Sequence, residues 1–313
     1  MRLIFFSVLL VLGFPFIMTE VVDSFKKCSG FFFEGEPPVI KDILVKSVSQ
    51  DNNRYKLICH KYATLYDTTN KIPVFSAYKY TGRGDFKIPK RKWKTDDEET
   101  CAYQACNKDY LNQNQWSRGH ILPMSYAADE GTAKSTCKLT NIVPQKESFN
   151  SGSWSRMEQT VQKVMDSNCR DVKESNKILA YVLTGAVPSQ TGKMNNKVNI
   201  PSHMWTAFCC YNSKTKKWES QAHWAENIDE SDEKGKTISK QSLTYVQDLL
   251  KSKYKETTLF NGECLDLLKA DVSQPLEAAN DQQKDENRSF LAFLMSIPAK
   301  AWAALCNFLG IGD

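Results

Sequence analysis

The chain has 313 residues, a formal net charge of +5 and ten cysteines. The charge permits a polyanionic partner without requiring one. No cysteine pair has zinc-site spacing such as Cys-x-x-Cys, and no repeat of about 20–50 residues is present, which sets aside a structural zinc domain and a repeat array.

The first residues are Met1-Arg2, followed by an apolar run from Leu3 to Met18. A short basic start and roughly fifteen apolar residues predict a secretory signal peptide over residues 1–20, since a membrane span needs about twenty. Cleavage is expected between Thr19 and Val22. The remaining chain of roughly 290 residues suffices for one large domain or two small ones. All ten cysteines follow the leader. An even count in that position implies oxidised pairs and a secreted protein, or one in the lumen of the secretory pathway. Their spacing leaves the connectivity open, although adjacent Cys209 and Cys210 are expected to reach different partners.

Strand-like runs occur at Tyr55–Cys59, Val74–Tyr80, Ile178–Leu183 and Met204–Cys210, and a turn rich in Gly, Pro and Ser, Gly185 to Gly192, separates the last two. Helical periodicity is clearest from Trp154 to Met165, where Trp154, Met157, Val161 and Val164 form one apolar face. A second helix is expected over Ile238 to Leu250, with Leu243, Val246 and Leu250 inward. Helices mixed among strands in this order suggest an α+β fold.

After Cys264 the composition changes. Residues 266–289 are polar and acidic and read as a linker. Residues 290–313 form an apolar tail, interrupted by Pro298 and Lys300. Through Phe290–Leu309 the tail reads as an element that docks on a membrane surface, on a protein partner or back on the domain. Asn287-Arg288-Ser289 beside it is an exposed glycosylation acceptor. Cys306 lies beyond the linker, which leaves nine cysteines in the main region and one of them without an internal partner.

The densest chemistry lies between Trp116 and Glu158. It comprises Trp116-Ser117-Arg118-Gly119-His120, Asn141-Ile142-Val143-Pro144-Gln145, and the run from Phe149 to Glu158. Hydrolysis of a phosphodiester needs a base near neutral pH, and histidine, with an ordinary pKa of about 6.5, suits it. Asn150 and Glu158 are about two helical turns apart and share a face if the segment is helical. Magnesium takes few protein ligands, all oxygen, so one Asn oxygen with a nearby Glu is a credible minimal site. Alone, Asn150 would read as a helix N-cap and Glu158 as a solvated charge; His120 is what favours the functional reading. Upstream, Arg91 lies in the basic run Pro89 to Thr95, and a guanidinium suits a charged phosphate. His203 precedes a strand and reads as packing or capping; His60 and His223 have no such company.

Ser117-Arg118-Gly119-His120 resembles the Asp-Arg-Gly-His motif of the DNA/RNA non-specific endonucleases, a ββα-metal (His-Me finger) family. The likeness extends to Asn141-x-x-Pro144-Gln145, to Asn150-x-Gly152-x-Trp154-x-x-x-Glu158 and to Arg91-x-Trp93-Lys94-Thr95-Asp96, over roughly Pro73 to Cys210. The resemblance implies a central antiparallel or mixed sheet flanked by helices and an endonuclease domain over residues 21–265. It implies cleavage of DNA and RNA to 5′-phosphate ends with magnesium, or manganese as a substitute. By that resemblance His120 is the general base, Asn150 the magnesium ligand, and Glu158 orients metal-bound water. Arg91 stabilises the phosphate, Asn141 supports the site, and Arg118 and Lys94 contact substrate. Ser117 departs from the family's usual Asp, which leaves open a weakly active or inactive relative that acts as a binding or scaffold protein through its surface or tail.

Overall fold

The computed structural model describes residues 20–95, 101–233, 235–262 and 264. The chain divides into a unit spanning Met1–Leu267 and another spanning Leu268–Asp313. The leader up to Thr19, the linker, the apolar tail with its Asn287 acceptor, and Cys306 lie outside the described residues.

The strands that position the site are β1 (Tyr55–Cys59), β2 (Ala63–Asp67), β3 (Ile72–Tyr80), β4 (Trp116–His120), β5 (Ile142–Lys146), β6 (Ala180–Met194), β7 (Val198–Asn212) and β8 (Lys217–Glu226). The helices are α1 (Glu130–Ser135), α2 (Ser155–Asn168) and α3 (Leu243–Tyr254). A large antiparallel sheet runs β1-β2-β3-β6-β7, with β8 against β7. A short strand, Glu20–Val22, pairs with β1 at its outer edge, so cleavage later than Thr19 would cut into the sheet. The architecture is α+β.

Three of the four strand-like runs lie wholly in strands, and the fourth, Ile178–Leu183, enters its strand only at Ala180. The turn between the last two, however, sits at Asn195-Asn196 and not at Gly185 to Gly192. Strand β6 continues through that stretch to Met194, and the register shifts twice around Pro188. Proline cannot donate to a ladder and is tolerated at such irregularities. Asn195 and Asn196 take positive φ values of 51° and 53°, a conformation that asparagine tolerates better than most residues.

Helix α2 buries Met157, Val161 and Met165, a four-residue repeat that aligns one apolar face. The expected second helix starts later than Ile238. Ser242 caps α3, its hydroxyl accepting from the Tyr245 N–H at 3.1 Å.

Among the described residues four disulfides join Cys28 to Cys59, Cys101 to Cys106, Cys169 to Cys210, and Cys209 to Cys264. The adjacent pair on β7 does reach two different partners. Cys137 is buried and free.

Candidate active site

Strands β4 and β5 form a separate antiparallel pair, with Ser117 opposite Gln145 and His120 opposite Ile142. The chain then enters a first turn at Glu147–Phe149, a π-turn at Asn150–Trp154, and α2. The first strand thus carries His120, the π-turn after the second strand carries Asn150, and the helix carries Glu158. The run from Asn150 to Glu158 is not one regular helix. Gly152, at φ −94° and ψ −115°, leaves helical geometry inside the π-turn. Such a turn changes the facing of residues on either side, and π-turns recur at functional sites.

The loop after β8 fastens this irregular turn. Glu230 is buried and accepts from the Ser153 N–H at 3.2 Å and the Ser153 hydroxyl at 2.8 Å. Ser148 donates to Asp229 at 2.7 Å and accepts from the Glu230 N–H at 2.8 Å. Asn227 links β5 to β7: its side chain accepts from the Lys146 N–H at 2.9 Å and donates to the carbonyls of Pro144 and Pro201.

A cleft of about 780 Å³ gathers Arg91, Arg118, His120, Asn150 and Glu158. Arg83 and Lys163 also line it, as do Glu147 and Asp166, so its charge is mixed. The His120 imidazole packs on Trp93, ring centroids 5.4 Å apart. Burial, helped by the nearby Arg91 charge, pushes its pKa down to about 3. The ring is therefore neutral at physiological pH, the form a base needs. Its Nε2 is buried without a hydrogen-bond partner. Burial pushes the Glu158 carboxyl up to about 8, which the Trp154 indole partly offsets.

The Ser117 hydroxyl holds one end of the Asn150 amide. The serine hydroxyl donates to the Gln145 carbonyl at 3.4 Å and accepts from Asn150 Nδ2 at 2.8 Å. With Nδ2 held behind, Oδ1 is the amide atom left for the cleft. An aspartate here would accept the same hydrogen bond and add a charge, so serine keeps the orientation without the charge. A lone amide oxygen with water completing the shell matches magnesium, which keeps most of its waters. Among the described residues no group of three or more His, Cys, Asp or Glu could hold a metal.

Arg118 stacks over Tyr110 and Trp93, 5.1 and 5.5 Å from their ring centroids. One of its terminal nitrogens donates to Asn107, at 2.8 Å to the side-chain oxygen. It enters the cleft as a clamped guanidinium.

The remaining two sequence candidates sit elsewhere. Asn141 is fully buried and does not line the cleft. Its Oδ1 accepts from the Leu122 N–H at 2.9 Å and the Ser76 hydroxyl at 3.2 Å, and its Nδ2 donates to the carbonyls of Leu122 and Thr136. It fixes the segment that follows His120 and has no hydrogen bond to spare. Lys94 lines a different cleft, on the other side of the 89–95 segment from Arg91. The outward alternation of an extended segment separates the two residues.

Sequence reasoning passed over Ser117 as an orienting group, and over Asn227 and Glu230 as supports. Ser117 was visible only as a departure from a motif, and the other two lie far along the chain. His203 packs on Trp224, ring centroids 4.9 Å apart, and contacts Ser202.

The sequence profile of the family described as DNA/RNA non-specific endonuclease matches residues 41–251. The human protein named Endonuclease domain-containing 1 protein is 29% identical over 221 residues, which cover 62% of this chain and 41% of that protein. The protein named Nuclease from Serratia marcescens is 28% identical over 169 residues, covering 52% of this chain and 61% of the other. The chain thus spans about two fifths of the human relative's length. A crystal structure of an EndoG/EndoGI complex aligns with a TM-score of 0.45 at 20% identity, covering 55% of this chain and 74% of that one.

Proposed function

The chain belongs to the DNA/RNA non-specific endonuclease family, and on that premise we propose that it hydrolyses the phosphodiester bonds of DNA and RNA without sequence preference. The observation that carries this reading is the single cleft gathering Arg91, Arg118, His120, Asn150 and Glu158. Contacts to the phosphate backbone carry no base information, which suits a non-specific enzyme.

Neutral His120 takes the proton from the attacking water. Arg91 and Arg118 stabilise the charge that builds on the phosphate. The Glu158 carboxyl group orients water within the cleft. Asn150 Oδ1 would hold magnesium, or manganese in its place. Such an ion would supply positive charge to offset the negative charge that develops as the phosphodiester is cut. The product would then carry a 5′-phosphate. Asn141 and Ser117 act through the residues they position. Because Ser117 still holds the Asn150 amide, its difference from aspartate does not favour an inactive scaffold.

The four disulfides support an oxidising compartment, and hence secretion or the secretory-pathway lumen. The decisive assay digests plasmid DNA and RNA with wild type and His120→Ala, with and without EDTA. Wild type should cut both in the presence of metal, and the variant should lose about 10²–10⁴-fold. Equal digestion by the two proteins would overturn the reading.

A further inference from the structure

The 89–95 segment is a wall between two clefts. Arg91 and Trp93 face the scissile side, in the catalytic cleft and the polar pocket beside it. Lys90, Lys92 and Lys94 line the opposite cleft, about 630 Å³ in volume, together with Lys134 and Lys138. The wall is fixed in place along residues 137–139. The Lys94 N–H donates to the Cys137 carbonyl at 3.1 Å, and the Leu139 N–H donates to the Lys94 carbonyl at 2.9 Å. Five lysines therefore share this cleft with one carboxylate, Glu130. Glu130 is already neutralised by Lys134 at 2.6 Å. Among the described residues no ion pair holds Lys90, Lys92 or Lys94, and the side chains of all three are exposed. The acidic run Asp96 to Glu99 lies outside the described residues.

We propose that this second cleft is a docking site for the phosphate backbone of the same nucleic acid strand whose scissile bond lies in the catalytic cleft. The inference rests on the nuclease reading and adds to it a place for the flank of the substrate. Continuity carries it: one short segment presents Arg91 to the scissile side and three lysines to the other, so a strand leaving the first cleft crosses a single ridge to reach the second. Same-face residues of an extended segment recur about every 6.6 Å, which gives a row of cations along the wall, not a point site. Lysines act here as point charges on phosphates, which bind strongly in sum and without sequence preference.

The test uses the full chain carrying Lys90→Glu and Lys92→Glu, two exposed positions outside the catalytic cleft. Binding of a long labelled single-stranded DNA is measured in EDTA across a salt series, and cleavage is measured with magnesium on that DNA and on a tetranucleotide. The expected result is binding weaker by about tenfold or more, and a log–log salt slope shallower by about 1.4, two phosphate contacts' worth for a single strand. KM for long DNA rises while the tetranucleotide rate is unchanged. An unchanged affinity and slope would overturn the proposal. An equal loss on the tetranucleotide would also overturn it, since the lysines would then serve the scissile site or the fold. Loss of heparin binding with DNA binding intact would assign the cleft to a sulfated glycan instead. A wild type that cleaves neither substrate would sink the nuclease reading, while binding in EDTA would still report on the cleft.

Discussion

Ser117 shows how much one hydroxyl can decide. It passes a hydrogen bond to the Gln145 carbonyl and receives one from Asn150. Ser117→Ala removes the acceptor and lets the amide turn, so the Asn150 oxygen proposed to hold the metal is no longer fixed. Outer partners of a metal ligand are worth about 10–100-fold in metal affinity or activity. A magnesium titration of the cleavage rate should show that loss for Ser117→Ala, while Ser117→Asp, which keeps the acceptor, should remain close to wild type. His120 makes a second prediction. Its folded pKa of about 3 lies below the ordinary 6.5, so the unfolded chain takes up the proton first as pH falls. Stability linked to this group is fully present above pH 6.5 and is lost progressively from there down toward pH 3. In the metal-free protein the His120 ring signals should stay in their neutral form at pH 5 by NMR. The drop in urea stability between pH 7.5 and pH 5 should be smaller in His120→Ala than in wild type. An imidazole titrating near 6.5 would refute this burial argument.

At the scale of elements, the pairing of β4 with β5 demands a residue without a side chain at Gly119. A Cβ built there would meet the Gln145 side chain, 1.8 Å from Oε1 and 2.6 Å from Cγ. Gln145 is fully buried, so it cannot swing out to make room. Gly119→Ala should lower stability by about 1–3 kcal/mol through overpacking, read as a reduced urea midpoint, and should disturb the neighbouring His120. A midpoint equal to wild type would mean that Gln145 has room to move. The same elements show what the sequence could and could not reveal. The repeat of Met157 and Val161 disclosed α2, because burial on one face imposes the helical period. The π-turn before it left no such trace: Glu230 and Asp229 fasten it from some eighty residues away, and periodicity does not register tertiary hydrogen bonds. The motifs brought out His120, Asn150, Glu158, Arg91 and Arg118, which the fold gathers into one cleft. They could not separate Lys94 from Arg91, since neighbours in sequence face opposite ways once the segment is extended. Nor could spacing tell that Asn141 spends both amide atoms on the backbone and on Ser76.

Across the whole molecule, β7 is where the crosslinks converge. Successive strand residues point to opposite faces, so Cys209 and Cys210 leave β7 in different directions, one to Cys264 and the other to Cys169. Cys169 directly follows α2, whose opposite end adjoins the turn carrying Asn150. The Cys169–Cys210 bond therefore anchors the far end of the helix that presents Glu158, and packing of Met157, Val161 and Met165 holds the span between. Closing a loop of 41 residues restricts the unfolded chain by an amount that the entropy model puts at about 4 kcal/mol. Replacing both cysteines by serine should cost stability of that order in urea unfolding. Changing both avoids leaving a lone reactive thiol to form wrong pairs. If packing alone fixes the helix, activity at low temperature survives the change and only the unfolding midpoint moves. If the crosslink also sets the helix position, cleavage falls even where the variant is fully folded by circular dichroism. An unchanged midpoint would show that this disulfide contributes nothing to stability. The packed apolar face favours the first outcome: its three buried side chains span α2 from the turn after Trp154 to within one turn of Cys169, so the register of Glu158 is set before the crosslink acts.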